Sequence, residues 1–181
     1  MKNRNAVLLA VFAMAFSALG FAQNPMVGGH DMSPQSNIIQ NAVNSDDHTT
    51  LVAAVKAAGL VDTLSGPGPF TVFAPTNEAF AKLPAGTVDN LLKPENKDQL
   101  TKILTYHVVA GKVTAGDLKK MIKAGNGTAD LTTVEGGKLQ AMIVGGKVVL
   151  KDEKGGTATV TIANVMQSNG VIHVIDSVLL P

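Results

Sequence analysis

Near residue 130 the spacing of apolar residues changes, and this change constrains the fold more than any other feature of the sequence. Upstream, apolar residues recur at helical spacing. Ile38, Ile39, Ala42 and Val43 form one stripe, and Leu51, Val52, Val55 and Ala58 form a second. Asn44-Ser45-Asp46-Asp47-His48 breaks them apart. Leu100, Ile103, Leu104 and His107 repeat the pattern, and Leu118, Met121 and Ile122 follow the capping-box-like Thr114-Ala115-Gly116-Asp117. Downstream the period becomes two. Gly-Gly pairs at 136–137, 145–146 and 155–156 separate short β-prone runs, as hairpin turns do. Thr157–Ile162 alternates threonine with apolar residues. Val171–Ile175 is apolar on both faces and reads as a central strand. Helices first and a strand meander last predict an α+β fold rather than a doubly wound one.

Between the helical stripes, Ser65-Gly66-Pro67-Gly68-Pro69 is a turn cluster leading into a strand, Phe70-Thr71-Val72-Phe73-Ala74. Pro75 ends that strand. Thr76 is placed to cap a short helix carrying Ala79, Phe80 and Leu83.

The first 22 residues read differently. Lys2 and Arg4 precede a run from Ala6 to Ala22 without a charge, and Gly20 and Ala22 supply small residues before Gln23. This is the pattern of a secretory signal peptide over 1–22. Residues 23–35, rich in Gly, Pro and polar groups, read as a flexible lead-in, and 36–181 as the folded domain. Export makes the mature chain periplasmic or extracellular. Cleavage removes Arg4, the only arginine, and leaves Phe70, Phe73, Phe80 and Tyr106 as the aromatics. Scattered lysines without arginine forks or stacking rings do not make a nucleic-acid binder. No later apolar run approaches the roughly 18–20 residues of a membrane helix. With no cysteine, an exported domain is held by its core rather than by disulfides.

Catalytic signatures are missing. There is no His-Glu-x-x-His, no Gly-x-Ser-x-Gly and no phosphate loop. His107 and His173 sit in apolar runs, where a neutral imidazole placing both nitrogens in hydrogen bonds is the commoner outcome; a hydrolase or metal role for either is the minor alternative. Asp46-Asp47-His48 reads as a solvated helix start, and Asp152-Glu153 as a turn. No cofactor is expected.

Gly68-Pro69-Phe70-Thr71-Val72-Phe73-Ala74-Pro75-Thr76-Asn77-Glu78-Ala79-Phe80 resembles the first signature block of fasciclin domains. Ser168-Asn169-Gly170-Val171-Ile172-His173-Val174-Ile175-Asp176-Ser177-Val178-Leu179-Leu180-Pro181 resembles the second, and Tyr106-His107 stands where that family has its central Tyr-His pair. The resemblance covers about 36–181. It implies a wedge-shaped, twisted antiparallel β-sandwich with helices packed on one side. It also implies a non-catalytic adhesion module acting at a cell surface, in a matrix or in a biofilm. The alternative is a periplasmic or extracellular binder of a small molecule or polysaccharide. Under the resemblance, Phe70, Phe73, Pro75, Thr76, Asn77, Phe80, Asn169, Gly170 and His173 hold the fold. Partner contact falls to Tyr106, His107, Val108 and Val109, with holding the fold the commoner role for Tyr106 and His107, and to Asn164, Val165 and Met166, where Asn164 replaces the family's usual Asp. The partner implied is a cell-surface or matrix protein or a polysaccharide.

Overall fold

The computed structural model describes residues 24–181; the leader expected over 1–22, together with Gln23, lies outside them. Among the described residues, seven α-helices begin and end largely where local chemistry dictates. Helix α1 (Ile38–Asn44) opens with a capping box: the Asn37 side chain accepts from the Gln40 N–H, and the Gln40 side chain accepts from the Asn37 N–H. Helix α2 (Thr49–Ala58) ends at Gly59, which adopts a left-handed φ of 71°. The short α3 (Val61–Ser65), α4 (Asn77–Ala81) and α5 (Thr87–Leu91) follow. Helix α6 (Lys97–Tyr106) stops one residue before the apolar stripe does. There the His107 N–H turns to Leu104 O, and its imidazole Nδ1 donates to Ile103 O instead, which closes the helix. Helix α7 (Ala115–Ala124) opens with the Thr114/Asp117 box.

The strands are β1 (Phe70–Pro75), β2 (Val108–Ala110), β3 (Thr128–Thr132), β4 (Lys138–Val144), β5 (Lys147–Lys151), β6 (Thr157–Gln167) and β7 (Gly170–Ile175). Each Gly-Gly pair falls between consecutive strands of the meander. The sheet order is β2-β1-β7-β6-β5-β4-β3. Its two ends meet: Val109 bridges Thr133, and the Val134 N–H donates to Val108 O at 2.8 Å. The twisted, mainly antiparallel sandwich with helices expected from the sequence is present, and it contains one parallel pair. Strands β1 and β7 pair in parallel, from Phe70 opposite Gly170 to Pro75 opposite Ile175. A parallel pair needs a long crossover, and most of the domain forms it, so short-range pattern could not show it. Strand β6 serves both halves. Its 11 residues pair with β5 at the start and with β7 beyond, with register shifts between Val160 and Val165.

The central strands β1 and β7 are walls between two cores. On one side Val72, Ala74, Ile172 and Val174 meet the helices through Ile38, Leu51, Val55, Leu64, Phe80, Leu100 and Leu104. On the other, Phe73 and Ile175 face into the sandwich with Tyr106, Leu118, Leu131, Leu139, Leu150 and Leu179. The period of two in the sequence is this division.

The 23–35 segment, expected as a flexible lead-in, is instead docked from Asn24 onward. Val27 and Met32 are buried in the helix-side core. The Asn24 side chain donates to Met32 O and Met166 O and accepts from the Met166 N–H at 2.9 Å, completing the edge of β6 as a strand neighbour would. Asn41 clasps Ser33 through both its backbone groups. Glycine-rich composition hid two apolar anchors and two amides.

Candidate functional site

The Tyr106-His107 pair points inward. Tyr106 ends α6 with its ring wholly buried in the sandwich. Its hydroxyl donates to Lys138 O at 2.7 Å and accepts from the Glu153 N–H at 3.2 Å, tying α6 to the start of β4 and to the turn after β5. Burial, reinforced by the nearby Glu153, Asp152 and Glu135, raises its pKa against the lowering effect of the Glu153 N–H. The ring also lies so close to Gly137 that a β-carbon there would come within 2.7 Å of it, so one Gly-Gly pair is required by packing as well as by turn geometry.

His107 is 2% exposed. With Nδ1–H donating to Ile103 O, its Nε2 accepts from the Leu179 N–H at 3.0 Å. Burial pushes its pKa down to about 4, although the Ile103 hydrogen bond and Asp152 oppose this, so it is neutral at physiological pH. The adjoining tail is held a second time: Asp152 accepts from the Leu180 N–H at 3.0 Å and from the Gly156 N–H at 2.6 Å. Read from sequence as an ordinary turn, Asp152-Glu153 is thus part of this staple, with Glu153 also accepting from the Lys138 N–H. The Asp152–Gly156 spacing across a Gly-Gly turn was its one legible signal. Val108 and Val109 are buried as well.

The second expected region is built around His173. Its Nε2–H donates to Val113 O at 2.8 Å, its Nδ1 accepts from the Asn164 N–H at 3.3 Å, and its ring stacks on Phe73 with centroids 5.6 Å apart. Burial lowers its pKa. Asn164 takes a left-handed φ of 59° in the bend of β6 and caps α7 by accepting from the Ala115 N–H. An Asp at this position would offer the same acceptor oxygen, so an acid and the amide present here fit the same local geometry. Val165 is buried, and Asn164 and Met166 are half-buried.

The remaining block residues stitch elements together. The Thr76 hydroxyl accepts from the Ala79 N–H to cap α4. Asn77 accepts from the Thr50 N–H and the Thr49 hydroxyl and donates to Asp46 O. Asn169 accepts from the Ile38 N–H and donates to Leu64 O and Gly66 O. At Gly170 a β-carbon would lie 1.9 Å from Phe70 O, so the parallel pairing of β1 and β7 needs glycine there. Phe80 is buried, and Phe70, half-buried, packs on the helix-side core.

His48, expected to be solvated, turns inward. Its Nε2 approaches Ala74 O at 3.4 Å and its Nδ1 takes the Ser45 hydroxyl at 2.8 Å; burial lowers its pKa. Among the described residues no group of three or more His, Asp or Glu is placed to hold a metal ion, and no helix is long and apolar enough to cross a membrane.

A cavity of about 40 Å³ lies in the helix-side core. Ile38, Leu51, Val55, Val72, Val165 and Ile172 line it, with His48 and His107, and Val27 and Met32 of the docked segment close one side. Tyr106 does not reach it.

A fasciclin domain model matches residues 46–181. The chain is 54% identical to protein sll1483 of Synechocystis sp., over 80% of this chain and 73% of that protein. It is 33% identical to immunogenic protein MPB70 of Mycobacterium bovis, over 100% of this chain and 99% of that one. Among solved structures, a FAS1 domain pair from the insect cell adhesion molecule Fasciclin I superposes with a TM-score of 0.70 at 21% identity, over 81% of this chain and 51% of the pair. That likeness is one of fold: the chain spans about half of the pair. The matched model covers both signature blocks and the Tyr-His pair between them, and the chain belongs to the fasciclin domain family.

Proposed function

We propose that this chain is an exported, non-catalytic adhesion or interaction module that works at a cell surface, in an extracellular matrix or in a biofilm. The observation that carries the reading is the inward commitment of its chemistry-bearing side chains. The Tyr106 hydroxyl and both nitrogens of His107 and His173 are engaged by the fold itself. A general base or ligand needs a free, reachable atom. Family membership supports the same reading, as does the adhesion molecule that shares the fold.

Tyr106, His107, Val108 and Val109 then act on a partner through the surface they hold rather than by contact. An apolar element of that surface is Val134, 47% exposed, whose N–H is fixed by Val108 O. Asn164 and Met166 contribute the half-exposed part of the second region, with Val165 beneath them. The partner is a surface or matrix protein. A polysaccharide is less well served, because Phe73, Phe80 and Tyr106 are buried and offer no platform for stacking sugars.

The test has two arms. Fractionation of the native host locates the mature protein, with recovery at the surface or in the matrix expected. Retention on partner-coated surfaces compares the native chain, an unfolded control and Val134→Asp. Retention of the folded chain alone, weakened by Val134→Asp at unchanged melting temperature, is expected. Equal retention of folded and unfolded chains overturns the proposal.

A further inference from the structure

We infer that the cavity in the helix-side core is a binding site for a linear aliphatic chain ending in a carboxylate, with Lys56 at its mouth receiving the head group. The site is independent of the adhesion reading.

The lining is almost wholly apolar, and the residues that enclose it come from β1, β2, β6, β7, α1, α2, α3, the end of α6 and the docked 24–35 segment. Its half-exposed members, Ile39, Ala42, Val52 and Val61, mark where it opens, between α1, α2 and α3. Val52 and Lys56 are one helical turn apart and therefore neighbours on α2. Lys56 is exposed, lines the same opening, and is in no ion pair among the described residues. An apolar slot with a single cation at its rim fits an amphiphile with one negative end. A polar or branched ligand finds no hydrogen-bond partners inside, because the buried polar groups that border the slot already have them: His48 with Ser45 and Ala74, His107 with Ile103 and Leu179, Asn41 with Ser33 and Gln167. A space this size holds the last methylenes of such a chain. The rest lies along the rim, and a longer chain gains depth by displacing Val27 and Met32, which belong to a segment anchored by side-chain amides rather than by a sheet.

Isothermal titration calorimetry of the mature chain with straight-chain carboxylates from butyrate to decanoate, and with the corresponding primary alcohols, tests this. The expected result is saturable, single-site binding whose affinity rises about fourfold per methylene and then levels off. Each acid binds about threefold more tightly than its alcohol, as for a partly exposed ion pair. Lys56→Glu reverses that preference and leaves the alcohols unchanged. Val52→Asp, at a half-exposed position, weakens both series; its melting temperature reports whether it is folded, and the lysine variant decides the matter if it is not. Absence of saturable binding, affinity indifferent to chain length, or an acid preference that survives Lys56→Glu each overturns the assignment.

Discussion

The two cores on either side of β1 and β7 are built by different rules. The sandwich side is enclosed by hydrogen-bonded strands and sealed at one end by Tyr106, whose ring touches Gly137 and whose hydroxyl joins β4 to the turn after β5. The helix side is enclosed by short helices and a docked segment, and it holds a cavity. One half is therefore the rigid element of the domain and the other the accommodating one. His107 sits on their boundary. It borders the cavity, while its Nε2 holds Leu179 of the sandwich core.

Truncating matched leucines breaks or sharpens this contrast most strongly. Leu139→Ala, in the sandwich, is expected to cost about 4–5 kcal/mol, because strands fixed by their ladder cannot collapse on the void. Leu51→Ala, on the helix side, is expected to cost about 3 kcal/mol, because α2 can settle. Urea unfolding measures both, and equal losses erase the distinction.

Acid acts next, at the boundary. The folded His107 titrates at about 4 against the usual 6.5. As the pH falls from 6.5 toward 4, the unfolded chain binds a proton that the folded chain refuses. Stability attached to this residue is thus complete above pH 6.5 and lost below it, by about 3 kcal/mol at the acid end. Burial lowers His48 and His173 in the same direction. Unfolding midpoints measured between neutral and acid pH show the slope, and His107→Gln flattens it; an unchanged slope in the variant contradicts the assignment.

Tyr106→Phe keeps the ring and removes the seal, leaving Lys138 O and the Glu153 N–H without their partner. The expected loss is about 1–3 kcal/mol, with faster amide exchange at the start of β4. The smallest effect differs in sign between the cores. Val148→Ile overfills the sandwich and costs about 1 kcal/mol, whereas Val55→Ile, facing the cavity, is neutral or stabilises by about 0.5 kcal/mol. Losses at both positions count against the difference in packing.

The strand half of this architecture was legible because its signals are local. Gly-Gly pairs mark turns wherever they fall, and the two-sided apolar run of β7 reports its central place directly. The parallel pairing of β1 with β7 was not legible, since it joins segments a hundred residues apart, and two glycines carry a trace of it: Gly170, pressed against Phe70 O, and Gly68, pressed against Asn169 O. The candidate site followed the same division. The apolar neighbours of His107 and His173 are a local signal of burial, and both imidazoles are buried and hydrogen-bonded. The docking of Asn24, Val27 and Met32 left no signal, because a segment's polar composition says nothing about two apolar anchors whose pocket is made by helices and a strand far along the chain.

Amide hydrogen exchange at neutral pH tests the division between the cores most directly. Strands β4 to β7 and β1 are expected to exchange only through global unfolding, while residues 24–48 open locally at a free-energy cost several kcal/mol lower. Uniform protection across both regions would contradict it.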